Sequence, residues 1–186
     1  PSGVGGWIRR RPRRSGRPPG PRAQSHKYVG VSVCATCHKT EKSGNQLSIW
    51  SNSAHAKAIE TLKSEKSKEI VTKMGMKTEA YESPECLKCH TTGYGYAVEM
   101  FDTKFNAENG VQCESCHGAG SDYKVMKVMK NREESIKNGM TNILVSDGSA
   151  EKLCLTCHND ESPTFQGFNF EESWNTIKHP VITTDK

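Results

Sequence analysis

The chain has 186 residues, of which 33% are hydrophobic and 25% charged, and its formal charge is +5. That length makes one domain the default. The hydrophobic share is poor for a core built from side chains alone, and no apolar run approaches the roughly 20 residues of a membrane helix, so no transmembrane segment is expected.

Residues 1–24 form a separate compositional segment. They hold seven of the eight arginines, five prolines, several glycines and no acidic residue. Such a basic arm cannot bury enough apolar surface to order itself. Removing its arginines takes the formal charge from +5 to −2. A basic arm on an acidic body predicts head-to-tail self-association. Residues 25–186 then read as one domain.

Ser25 to Val33 leads into a first cysteine motif and contains His26. From Thr40 to about Lys66, Leu47, Trp50, Ala54, Ala58 and Leu62 recur at three- and four-residue steps, which predicts one helix carrying His55. A second helix follows from Lys66 to Met74, stopped by Gly75. Ser83-Pro84 breaks the chain before a second cysteine motif. Thr91 to Gly110, rich in glycine and aromatics, reads as loop with a short hairpin. After a third motif, Ser121 to Asn138 reads as a helix with Val125, Met129 and Ile136 inward and Gly139 as its stop. Ser149-Ala150-Glu151-Lys152 opens a helix that runs into a fourth motif. Phe170 to Lys178 is a last short helix, ending at His179-Pro180.

The four motifs carry the chemistry. They are Cys34-Ala35-Thr36-Cys37-His38, Cys86-Leu87-Lys88-Cys89-His90, Cys113-Glu114-Ser115-Cys116-His117 and Cys154-Leu155-Thr156-Cys157-His158, and they contain all eight cysteines. Cys-x-x-Cys-His is the attachment signature of c-type haem. The two thiols add to the two haem vinyls, and the histidine that follows supplies the proximal iron nitrogen. Paired Cys-x-x-Cys also builds zinc ribbons, but a ribbon needs no histidine directly after its second cysteine, and here all four pairs have one. No cysteine remains outside the motifs to form a disulfide framework. The expected cofactors are therefore four haem c, with His38, His90, His117 and His158 as proximal ligands. Four large apolar discs explain the low hydrophobic content. The 162 residues after the arm are too few to surround each one, so haem packs on haem, and the chain without haem is expected not to fold. The fold class that follows is mostly α with long haem-wrapping loops, a multihaem cytochrome c with little or no β.

An electron-transfer haem commonly takes a second axial ligand from histidine or methionine. Of seven histidines, four are proximal, which leaves His26, His55 and His179 as distal candidates. Three spare histidines cannot serve four haems, so at least one haem is not bis-histidine. Its sixth ligand is either a methionine (Met74, Met76, Met100, Met126, Met129 or Met140) or absent. Methionines more often fill irregular apolar gaps. An open iron could bind nitric oxide or a related nitrogen oxide. Glu114, Asp122 and Tyr123 are too weakly placed for an acid–base set, and an enzyme is not expected.

Haem joins Cys-x-x-Cys-His outside the cytoplasm. Nothing near the start has the apolar centre of a signal peptide. With the export signal removed, the mature protein is expected to be soluble and exported, either extracellular or at the cell surface, or alternatively periplasmic.

Three stretches together resemble a known tetrahaem family. They are Trp50 with Ser53-Ala54-His55-Ala56-Lys57-Ala58, then Cys86 to Gly95, then Gly110-Val111-Gln112-Cys113 through Gly118-Ala119-Gly120. They look like the cytochrome that accepts electrons from hydroxylamine oxidoreductase in ammonia oxidisers, over roughly Tyr28 to Asn159. The resemblance implies that His55 is a distal ligand and that one haem is five-coordinate. The family's distal histidine just after the Gly-x-Gly of the third motif is missing, and Tyr123 and Lys124 occupy that neighbourhood, which leaves His26 as the substitute. Related small tetrahaem cytochromes polymerise into extracellular nanowires. By that analogy the chain is the repeating subunit of a conducting filament, with His26 the candidate intermolecular ligand. A soluble periplasmic shuttle between redox enzymes is the alternative. The expected partners are other copies of the chain and redox proteins or extracellular acceptors, with no nucleic acid.

Overall fold

The computed structural model describes residues 26–180. The basic arm of residues 1–24 lies outside the described residues, and so do the expectations built on it. The described chain is a series of short helices joined by long loops, with no strand. Its one β-bridge is an isolated parallel pairing of Tyr28 with Phe101. In chain order the helices are α1 (Val31–Cys34), α2 (Gln46–Asn52), α3 (Ala58–Leu62), α4 (Glu65–Lys73), α5 (Pro84–His90), α6 (Cys113–His117), α7 (Met126–Met129), α8 (Arg132–Lys137), α9 (Ser149–Cys154) and α10 (Phe170–Ile177). No helix among them is long and apolar enough to cross a membrane.

The caps explain the boundaries. Ser64 caps α4 by accepting the Ser67 N–H, Asn131 caps α8 and Asn169 caps α10 in the same way. Pro84 opens α5, where its missing N–H costs nothing. Gly75 and Gly139, both at positive φ, stop α4 and α8 as expected.

Three local expectations are corrected. The helix expected across 40–66 is broken into a 3-10 turn (Glu41–Ser43), α2 and α3, and His55 sits in the turn between α2 and α3. The Ser-Asn-Ser run ends α2. Ser51 and Asn52 bond the Ser48 carbonyl and Ser53 bonds the Trp50 carbonyl, competing with the helical ladder. Ala54, expected inward, is exposed. The helix expected across 121–138 is likewise split into α7 and α8, and Val125 points out, 53% exposed. No hairpin forms in 91–110, only two 3-10 turns (Val98–Met100 and Ala107–Asn109).

The side-chain core is small. Leu62, Val71 and Ala80 form a cluster, with Met76, Cys86 and Leu87 packed against it. Here α3 packs on α4, α5 and a 3-10 turn (Ala80–Glu82). A second buried region, around Val29 and Val31, lies where α1 meets α6. Among the described residues the fully buried side chains of largest volume are polar apart from Val29, led by Gln112 and Glu114. A core of this kind is fastened by hydrogen bonds more than by apolar packing.

Candidate haem centres

Each motif adopts a helical turn, so its histidine follows the second cysteine on the same short element. α5 holds Cys86, Cys89 and His90, and α6 holds Cys113, Cys116 and His117. The other two motifs end just beyond α1 and α9, where His38 and His158 close backbone bonds to Cys34 and Cys154. All eight cysteines are free of disulfides. Among the described residues no three histidine, cysteine or carboxylate groups converge on one point, as a protein-only metal site requires.

Two pairs of histidine rings lie close together, one T-shaped and one tilted. The rings of His55 and His158 have centroids 6.0 Å apart, and those of His117 and His179 are 5.8 Å apart. An imidazole nitrogen sits about 2 Å from a metal it binds, so two rings on opposite sides of one ion have centres roughly 6 Å apart. Both pairs fit an iron between them. Burial pushes all four histidines down, and His117 reaches about 4, with the neighbouring His179 and His38 adding to the effect. Neutral imidazole is the metal-binding form. The buried Nδ1 atoms of His38 and His179 have no protein partner. These residues fit haem iron.

Local chemistry sets these positions. Trp50 Nε1 donates to the Val111 carbonyl at 2.8 Å, and Val111 N donates to the His55 carbonyl at 3.1 Å. Gly110, at φ +67, brings its Cα so close that a Cβ would lie 2.8 Å from the His55 carbonyl oxygen. The turn bearing His55 is thus pinned to the lead-in of the third motif. Phe168 stacks on His158 at 4.8 Å. His90 donates from Nδ1 to the Ala58 carbonyl at 2.8 Å, which leaves Nε2 for a metal.

His26 faces none of the four motif histidines in such a pair. Its Nδ1 donates to the Asp122 carboxylate at 2.6 Å, and its ring lies over Gly139, where a Cβ would come within 2.7 Å of it. It therefore sits in the neighbourhood just past the third motif, beside Tyr123 and Lys124. Met74 and Met126 are 49% and 63% exposed, and Met76 belongs to the apolar cluster.

The four motifs also have a spatial order. The Cys34 thiol meets the Cys113 thiol, and that contact, with burial, pushes Cys34 up. Burial, followed by the nearby Cys154, pushes Cys116 up to about 11, and burial with the neighbouring Cys157 does the same for Cys89. An ion pair between Lys88 and Glu161 also ties the second motif to the fourth. Thr92, buried behind the second motif, bonds Gly110, Gln112 and Ser115 of the third. The first motif thus meets the third, and the third, fourth and second all touch one another. Sequence reasoning quoted Thr92 and Gln112 only as parts of longer stretches and left them, like Glu114, without a role. A carboxylate between the two cysteines of an attachment motif was the available signal for Glu114.

Comparison with known proteins agrees with this picture. The profile of the family described as Cytochrome c554 and c-prime matches residues 33–118. The chain is 31% identical over 165 residues to cytochrome c-554 of Nitrosomonas europaea, a match that covers 82% of this chain. The chain spans 63% of the length of that relative. No solved structure matches it significantly.

Proposed function

We propose that the chain is a tetrahaem c-type cytochrome that carries electrons, one at a time, between redox partners. The observation that supports this best is the pairing of two motif histidines, His117 and His158, with the non-motif histidines His179 and His55 at an iron-spanning distance. Haem c would supply a one-electron Fe(III)/Fe(II) couple at each motif. The thioethers of Cys34 and Cys37, Cys86 and Cys89, Cys113 and Cys116, and Cys154 and Cys157 would hold the four groups. His38, His90, His117 and His158 would be the proximal ligands.

The chain's part is spacing, ligation and insulation. His55 and His179 would be the second ligands at two of the centres. His26, aligned by Asp122 as a ligating imidazole is aligned by a carboxylate, is the third distal candidate. One centre then has no histidine left. The contacts between motifs would lead the electron path from the first centre to the third, and from there to the fourth and second. Four haems, export to the periplasm or beyond, and the absence of a catalytic role are parts of the same proposal. A discrete carrier is the reading that the likeness to cytochrome c-554 favours. A filament subunit, assembled through the basic arm, would use the same internal path. Nitric oxide chemistry at the centre without a histidine ranks behind both.

The experiment is a pyridine haemochrome assay with intact mass on the mature protein, followed by electron microscopy. Four covalent haems per chain are expected, in discrete particles. Absence of covalent haem refutes the proposal, and long regular filaments would replace the carrier with a conducting polymer.

A further inference from the structure

The side chain of Glu114 is one of the most deeply buried groups among the described residues, at 1% exposure, and it lies between the two cysteines of the third motif. Its carboxylate accepts four backbone hydrogen bonds. Val29 N donates to Oε1 at 2.8 Å and to Oε2 at 3.1 Å, Gly30 N to Oε2 at 2.7 Å and Gly120 N to Oε1 at 2.7 Å. All four are accepted bonds, shared over both oxygens, which is the pattern of the ionised form. Among the described residues no lysine, arginine or histidine forms an ion pair with it. A Cβ at Gly120 would crowd this approach, lying 3.1 Å from Oε1 and 3.2 Å from the Val29 side chain.

The arrangement does two things. It fastens the lead-in of the first motif, Val29-Gly30, to the body of the third. It also leaves a negative charge, balanced only by backbone dipoles, beside both attachment sites. Tyr123, Tyr28 and Cys34 lie within range of the carboxylate: burial and then Glu114 push Tyr123 up, while Tyr28 is raised mainly by burial and Tyr96, and Cys34 mainly by Cys113 and burial, with Glu114 a smaller contributor to both. In an interior of low dielectric such a charge favours the more positive, oxidised form of a nearby redox centre.

We propose that Glu114 is a positioning and potential-setting residue that lowers the reduction potentials of the first and third haem centres together, relative to the second and fourth. This rests on the reading of the motifs as haem attachments. The first–third couple thereby becomes the low-potential half of the chain, and electrons entering there run towards the fourth and second centres.

The test is spectroelectrochemical titration of the mature holoprotein, wild type against Glu114→Gln. Two of the four midpoint potentials should rise, each by at least a tenfold change in the oxidised-to-reduced ratio at a fixed applied potential, about 59 mV for a one-electron couple. The other two should stay. Unmoved potentials, or an equal rise in all four, overturn the proposal. If Glu114→Gln does not mature, Tyr28→Lys decides, because it sets a cation near enough for the two charges to interact, at a half-buried position, and leaves the Val29, Gly30 and Gly120 N–H donors in place. The same two potentials should rise, and no movement overturns the proposal. Wild-type protein without covalent haem would instead refute the function proposed above, before any potential is measured.

Discussion

Gly110→Ala tests whether the backbone geometry described above holds a distal ligand in place. Gly110 has φ +67 and ψ −135, a conformation essentially reserved for glycine. Holding alanine there costs about 1–3 kcal/mol. The new Cβ would also lie 2.8 Å from the His55 carbonyl oxygen, a backbone atom that cannot swing aside. Relief requires the turn carrying His55 to move, which breaks the 3.1 Å bond from Val111 N, worth about 1 kcal/mol. The sum is about 2–4 kcal/mol. At about 2–4 °C per kcal/mol for a chain of this size, the melting temperature of the holoprotein should fall by about 4–16 °C. The same movement withdraws His55 from His158, so one haem should turn high-spin. Thermal circular dichroism and electron paramagnetic resonance read the two effects. A wild-type melting temperature with an unchanged spin state would refute the argument.

Other predictions follow the same logic. His55→Ala and His179→Ala should each convert one haem to high-spin, and the double variant two. An unchanged spectrum in either single variant would remove that residue from the ligand set. Asp122→Asn should loosen His26 and weaken its ligation about 10-fold or more, as loss of a carboxylate behind a ligating imidazole does, read as a rise in the high-spin fraction. No change, with His26→Ala also silent, would show that His26 is an ordinary surface histidine. Tyr28 is pushed up to about 12, by burial and then by Tyr96. Its neutral phenol persists in the folded state after the unfolded state has ionised near pH 10. Its contribution to stability is therefore complete below about pH 10 and lost between about 10 and 12. Tyr28→Phe should flatten that alkaline decline in stability measured against pH. Finally, chain prepared without haem should show no cooperative thermal transition, since few side chains form its apolar core. A sharp transition would show that the polypeptide alone specifies the fold.

The haem-attachment reading could be made from the sequence because its signature is local. A Cys-x-x-Cys-His turn is five consecutive residues, and seven histidines against four motifs fix the ligand count by arithmetic alone. The short helix α4, stopped by Gly75 just past its end, was legible for the same reason. The break between α2 and α3 was not. Leu47, Trp50, Ala58 and Leu62 keep helical spacing across it. Periodicity cannot register that Ser51, Asn52 and Ser53 bond back to the helix while the His55 carbonyl is taken by Val111, far along the chain. Distances between remote residues were equally invisible. Only the tertiary structure decided that His55 faces His158 and His179 faces His117, that the first motif meets the third and the fourth meets the second, and that Glu114 is a buried anchor. Those facts depend on contacts between segments remote in the chain. Such contacts arise from hydrogen bonds to specific backbone groups, and composition and spacing carry no record of them.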